Sequence, residues 1–182
     1  MTSLCIYCGS RHGKLANLID EAKKIGKLLA KKDITLVYGG ANVGLMGTFA
    51  DSCLDDGGRV VGVLPQALQD REVSHENLTE LHVVENMHIR KQKMVDLSDA
   101  FLIFPGGIGT LDEFVEIFTW YHLEFHNKPI ALFNIDGFYD PLLKLLDHVV
   151  DNGFLPKEKL KGITVLNKFE DIESTLLPMI GK

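Results

Sequence analysis

The run Phe101-Leu102-Ile103-Phe104 carries no polar residue at all. A strand that is apolar on both of its faces has to be covered on both, and that requirement belongs to parallel sheets with helices packed above and below. Six more β-rich runs are predicted, at Leu4–Tyr7, Thr35–Tyr38, Val60–Leu64, Leu81–Val84, Ile130–Phe133 and Ile163–Leu166, with the apolar run itself giving Ala100–Phe104. Helical periods separate them. The clearest spans Leu15–Lys32, where Leu18, Ile19, Ala22, Ile25, Leu28 and Leu29 recur at three- and four-residue steps and make one apolar stripe. Further helices are expected at Leu45–Asp55, Met87–Asp96, Leu111–Phe125, Pro141–Asn152 and Ile172–Met179. Strand alternating with helix along the whole chain predicts a single α/β domain over residues 1–182, a doubly wound parallel sheet with helices on both faces. The Gln66–Thr79 stretch is the least regular and reads as a loop.

Charge and cysteine usage narrow the partners. A net charge of −6 argues against a general nucleic-acid coat, which needs clustered Lys and Arg, while leaving room for a local basic pocket around one phosphate. No apolar stretch approaches the ~20 residues of a membrane span, and Met1–Ile6 lacks the basic and apolar regions of a signal peptide. Cys5, Cys8 and Cys53 are too few and too oddly numbered for a disulfide framework, so a reducing, cytoplasmic setting is expected. Cys5-x-x-Cys8 has no second pair to complete four metal ligands, and in a strand that spacing sends the two side chains to opposite faces. Both read as buried small residues.

Two glycine-rich loops follow predicted strands, which is where α/β sheets bind ligands. The first is Tyr38-Gly39-Gly40-Ala41-Asn42-Val43-Gly44-Leu45-Met46-Gly47. It has Leu45 where a P-loop needs Lys, and neither Gly39 nor Gly40 starts a G-x-G-x-x-G series. A tight turn and an anion site fit it equally. The second is Pro105-Gly106-Gly107-Ile108-Gly109-Thr110-Leu111-Asp112-Glu113. Its glycines and Thr110, at the start of a helix, suit a phosphate held by backbone N–H groups and one hydroxyl. Glu113 is expected in the first helical turn, and Thr110-x-x-Glu113 is also a capping box, so spacing alone supports a cap and a catalytic carboxylate equally. Asp112 complements the helix dipole.

Upstream, Met87-His88-Ile89-Arg90-Lys91-Gln92-Lys93 places three cations in an otherwise acidic chain. Arg90 can hold a phosphate bidentately and Lys91 can add a point charge, although a solvated helix face carries the same pattern. His122 and His126, four apart on a predicted helix, have zinc-compatible spacing without the H-E-x-x-H pattern and read as surface or pocket-edge side chains.

Over nearly its whole length the chain resembles the cytokinin riboside 5′-monophosphate phosphoribohydrolase (LOG, Lonely Guy) family. The resemblance is carried by Cys8-Gly9-Ser10, Tyr38-Gly39-Gly40, Val43-Gly44-Leu45-Met46-Gly47, Met87-His88-x-Arg90-Lys91, Ser98-Asp99-Ala100, the Pro105–Glu113 signature, Thr119-Trp120, Lys128-Pro129 and Asn134-x-Asp136-Gly137-Phe138-Tyr139. It implies a Rossmann-like fold, a homodimer, and hydrolysis of the N-glycosidic bond of a purine nucleoside 5′-monophosphate to free base and ribose 5-phosphate. It further implies that Arg90 and Glu113 are the catalytic pair. The substrate contacts it implies are Glu72, Met87, Arg90, Lys91, Gly106, Gly107, Ile108, Gly109, Thr110, Leu111, Asp112 and Thr119. The chain departs from the family habit at Asp70-Arg71-Glu72, Ile89, Ile108 and Tyr121-His122. Members have often been labelled lysine decarboxylases, but no Schiff-base lysine for pyridoxal phosphate can be picked out here.

The scheme this suggests uses no cofactor and no metal: Glu113 stabilises or activates against a sugar that develops positive charge, and Arg90 orients the nucleotide. The alternative is a nucleotide-binding sensor or carrier without turnover, in which Glu113 is a cap. A dehydrogenase is disfavoured by the missing G-x-G-x-x-G. The partners expected are a small nucleotide and a second copy of the chain, with neither nucleic acid nor membrane.

Overall fold

Seven strands form one all-parallel sheet in the order β4-β3-β2-β1-β5-β6-β7. They are β1 (Thr2–Tyr7), β2 (Ile34–Tyr38), β3 (Val60–Pro65), β4 (Glu80–Val84), β5 (Ala100–Ile103), β6 (Ile130–Phe133) and β7 (Ile163–Leu166). This computed structural model describes residues 2–69 and 74–182. All seven strands expected from the sequence are present, within two residues at each end.

Six helices make up most of the covering layers: α1 (Leu18–Lys31), α2 (Gly44–Asp55), a short α3 (Gln66–Gln69), α4 (Met87–Asp96), α5 (Ile108–His122) and α6 (Asp140–Asp151). Helical turns at Phe169–Asp171, Ile172–Leu176 and Leu177–Met179 close the chain's described course. On one face α1, α2 and these last turns bury Ala22, Ile25, Leu29, Phe49, Ile172 and Leu176 against Leu4, Ile6, Leu36 and Leu102. On the other, α4 and α5 bury Met94, Phe114, Ile117 and Phe118 against Cys5, Val37, Phe101 and Leu132. Cys5 and Cys8 belong to the two opposite cores, as their spacing predicts.

Two helices start elsewhere than the sequence suggests. α1 begins at Leu18, not Leu15, because Asn17 takes a left-handed conformation (φ 67°) and turns the chain before the helix; Leu15 and Ile19 stay partly exposed. α5 begins at Ile108, not Leu111, with the extended Gly107 as its N-cap and no side-chain cap bond. Within the expected 66–79 loop, Ser74 bridges Ala41 and the buried His75 ties its ring to Asp51 at 2.9 Å.

The order of the strands positions the site. From β1 the chain steps outward through β2, β3 and β4, then returns through α4 to lay β5 on the other side of β1. The loops after β1 and β5 therefore diverge to opposite faces, and a crevice opens between them at the carboxyl ends of the strands.

Candidate active site

That crevice is a cleft of about 210 Å³, lined at its floor by Ile6, Tyr7 and Cys8 of β1 and its exit, and on one wall by Gly39 and Met46. The opposite wall is the α5 N-terminus, Gly107 to Thr110, with Glu113 one turn deeper; Arg90 reaches in from α4. Arg90 and Glu113 are 8 % and 7 % exposed, so both charges are held almost wholly out of water. Such a pair survives only when its partners are placed to receive it. The Arg90 guanidinium donates through Nε to the Val63 carbonyl at 3.0 Å and sets Nη1 3.2 Å from Glu113 Oε1. Its other amino group lies against Gly39, where a Cβ would overlap it.

Burial pushes the Glu113 carboxyl up to about 7; Arg90 opposes that shift, Asp112 adds to it, Lys91 opposes it and Glu116 adds to it. A carboxylic acid poised there exchanges its proton within the neutral range, the property wanted of a general base or acid. The start of α5 at Ile108 puts Thr110 at the third helical position and Glu113 in the second turn, so the capping box does not form. Glu113 spends neither carboxylate oxygen on the helix end. The expectation of a first-turn glutamate is corrected, and the cap reading of Glu113 goes with it.

The α5 N-terminus presents N–H groups with no intrahelical partner, since the first helical bond runs from Leu111 to the Gly107 carbonyl. Gly107 and Gly109 have no positive φ, and a Cβ at either would meet nothing within 4 Å. The folded chain itself does not call for glycine at these positions, and the bare backbone leaves open space beside the helix N-terminus. Gly106 differs, because a Cβ would overlap Thr110 and come within 2.9 Å of the Gly9 nitrogen. It lets the β1 and β5 loops touch.

The remaining expected contacts divide. Gly107, Ile108, Gly109 and Thr110 line the cleft with Arg90 and Glu113; Gly106 underlies them. Lys91 does not line it. It is buried, and its ammonium is held by Asp112 (3.1 Å) and Glu116 (2.9 Å) of α5. Burial pulls this ammonium's proton affinity down, but Glu116 and Asp112 outweigh that and hold it raised. Asp112 is thus an ion-pair partner facing away from the cleft, Leu111 packs into the core beside Phe114, and Met87 is exposed. Thr119 is exposed and its hydroxyl donates to the Val115 carbonyl. Glu72 lies outside the described residues. His122 ends α5 and His126 lies beyond it, its Nε2 donating to the Ile117 carbonyl (2.9 Å), so the two are not a helical i, i+4 pair.

Sequence reasoning did not single out Tyr7, and it left Gly39 and Met46 in a loop that fitted a tight turn and an anion site equally. Tyr7 is buried, stacked on Phe101, and its hydroxyl has no hydrogen-bond partner among the described residues. The signal available was that Tyr7 and Gly39 stand at the carboxyl ends of strands that turn out to be neighbours at the centre of the sheet. No lysine lines the cleft among the described residues.

A family profile described as "possible lysine decarboxylase" matches residues 46–176. The chain is 45 % identical over 155 residues to the rice (Oryza sativa subsp. japonica) protein named cytokinin riboside 5′-monophosphate phosphoribohydrolase LOG, covering 85 % of this chain and 64 % of that one. It is 44 % identical over 169 residues to the protein of the same enzymatic name from Rhodococcoides fascians, covering 92 % and 85 %. An Arabidopsis thaliana relative, LOG3, is 43 % identical over 84 % of this chain and 71 % of its own length. The chain thus spans about two thirds of the plant relatives and most of the bacterial one. Among solved structures, the Moco carrier protein from Chlamydomonas reinhardtii superposes with a TM-score of 0.73 at 17 % identity over 99 % of this chain and 98 % of its own. The molybdenum cofactor binding protein from Rippkaea orientalis gives 0.71 at 20 % identity over 98 % and 97 %. At these identities the likeness is one of fold.

Proposed function

The chain belongs to the cytokinin riboside 5′-monophosphate phosphoribohydrolase family, and from that premise we infer that it hydrolyses the N-glycosidic bond of a purine nucleoside 5′-monophosphate. The observation that carries this reading is the buried Arg90–Glu113 pair at the base of a cleft one wall of which is an unsatisfied helix N-terminus. The phosphate rests on the amides of Gly107 to Thr110 and the Thr110 hydroxyl. The ribose then falls between that wall and Glu113. As the C1′–N bond breaks, the sugar develops positive charge, and an adjacent carboxylate stabilises it. Glu113 accepts a proton from the water whose oxygen bonds to C1′, the C1′–N electron pair leaves with the base, the base takes one proton from solvent as Glu113 returns one to it, and the products are free base and ribose 5-phosphate. Arg90 orients the nucleotide and keeps Glu113 ionised as substrate enters.

The chain acts, in this reading, as a homodimer in the cytoplasm. Ile108, Val115, Thr119 and Leu123 recur along α5 at seven- and four-residue steps, and Ile108, Val115 and Leu123 are 81 %, 51 % and 51 % exposed. An uncovered apolar stripe of this kind suits a second copy of the chain. Met87 and Thr119, outside the cleft of their own chain, are then placed to reach a substrate across that interface.

Incubation with AMP and with isopentenyladenosine monophosphate, followed by chromatographic separation, tests the chemistry. Release of free base that is lost in Glu113→Gln supports hydrolysis, and the ratio of rates ranks the two bases. Nucleotide that binds and is recovered intact favours the carrier alternative.

A further inference from the structure

Beside the catalytic cleft lies a second cavity, of about 400 Å³, on the far side of the Gly9–Ser10 and Gly106–Gly107 backbones. Gly9, Ser10 and Gly107 are walls of both. Its own walls are Leu15, Leu18, Leu45 and Phe138, and its rim carries Arg11, His12 and Lys14 of the loop between β1 and α1.

Charge bookkeeping in the catalytic cleft shows what is missing there. A 5′-phosphate brings close to two negative charges near neutrality. The α5 N-terminus supplies an equivalent of about half a positive charge. Among the described residues Arg90 alone brings a cation to the cleft lining, and it is already committed to the Val63 carbonyl and to Glu113. Lys91 is committed to Asp112 and Glu116. More than one unit of phosphate charge is left without a counter-charge from the described residues of the cleft.

Arg11 and Lys14 are cations that line the adjoining cavity. Neither has a carboxylate within 4 Å among the described residues, although the chain as a whole is acidic. Their loop is not loosely hung. The Gly9 nitrogen donates to the Pro105 carbonyl at 3.2 Å, and the Ser10–Arg11 backbone packs so closely on Gly44 that a Cβ there would overlap it. Left-handed Gly13 (φ 72°) and Asn17 (φ 67°) then return the chain to α1. The base of the loop is thereby fixed beside Gly107, where the two cavities meet.

We propose that Arg11 and Lys14 form the cationic side of the 5′-phosphate subsite and are the residues by which this chain prefers a nucleotide over the corresponding nucleoside. The inference rests on the nucleotide reading above. The phosphate sits over Gly107 at the junction of the two cavities, with the helix amides on one side and the two cations on the other. They act on binding, not on the bond that breaks.

The test compares Arg11→Ala, Lys14→Ala and the double variant with wild type, and uses Lys27→Ala, an exposed lysine on α1, as a control for net charge. Turnover of AMP and of adenosine is measured, together with calorimetric binding of ribose 5-phosphate and of ribose. A charge-assisted contact to phosphate corresponds to about a tenfold change in affinity. Each single variant is therefore expected to raise KM for AMP and Kd for ribose 5-phosphate about tenfold, with kcat and the adenosine reaction unchanged and Arg11→Lys close to wild type. Equal losses on AMP and adenosine, or an effect matched by Lys27→Ala, would overturn the assignment. So would unaltered ribose 5-phosphate affinity in the double variant. The binding arm stands apart from turnover: if no base is ever released, a selective loss of ribose 5-phosphate affinity still supports the subsite while the hydrolytic reading fails.

Discussion

Gly39→Ala isolates how Arg90 is held. Gly39 is not among the residues with positive φ, so alanine's backbone is unstrained there. The added methyl meets the Arg90 guanidinium far inside van der Waals distance and the Met46 sulfur at 3.1 Å. Carbon and nitrogen settle near 3.5 Å or beyond, so the guanidinium must retreat by about 1 Å. The Arg90 contacts to Val63 (3.0 Å) and Glu113 (3.2 Å) have no such slack, and both lengthen past hydrogen-bond range. A misplacement of that size costs about 100-fold in rate, or roughly 2.7 kcal/mol of transition-state stabilisation. The stability cost of overpacking is about 1–3 kcal/mol, which leaves the fold intact. Base release from AMP reads the first quantity and urea unfolding the second. The two should be linked: in an Arg90→Ala background the methyl occupies vacated space, and its stability cost should fall to near zero. A folded Gly39→Ala protein turning over within about threefold of wild type, or a stability cost undiminished without Arg90, refutes the reasoning.

Two further outcomes follow from the same geometry. With Glu113 pushed up to about 7 by burial and required as the carboxylate, kcat/KM should rise with pH through that value. Asp112→Asn removes a charge that raises Glu113 and should move the limb to lower pH; Lys91→Met removes one that lowers it and should move the limb to higher pH, both read from pH–rate profiles. Val115→Arg, at an exposed position on the α5 stripe, should convert a dimer to a monomer in sedimentation velocity, and an unchanged sedimentation coefficient would place the interface elsewhere.

The strands were legible because a parallel sheet buried on both faces leaves unbroken apolar runs, and Phe101–Phe104 could fold into little else. The start of α5 was not, because Gly107 caps it by backbone conformation alone and contributes no side-chain signal, while Thr110-x-x-Glu113 imitates a cap further on. The left-handed Asn17 hid the start of α1 for the same kind of reason. At the site, Arg90, Glu113 and the second glycine loop were readable from their motifs. That Lys91 turns to the α5 carboxylates while its neighbour Arg90 turns to the cleft depends on which flank of α4 meets α5, a tertiary fact. Tyr7 and Gly39 come together only through the pairing of β1 with β2, across more than thirty residues of chain.

The central place of β1 carries a consequence for how the protein fails. β1 alone joins the β2-β3-β4 half of the sheet to the β5-β6-β7 half. A chain deprived of Thr2–Tyr7 would keep every helix and six strands, yet expose two fresh edges buried in the intact sheet, one along β2 and one along β5. Such edges pair with whatever strand they meet first, and β5 carries no polar side chain to deter it. Loss of one short terminal segment would therefore show itself as insoluble protein before it showed as a slower enzyme.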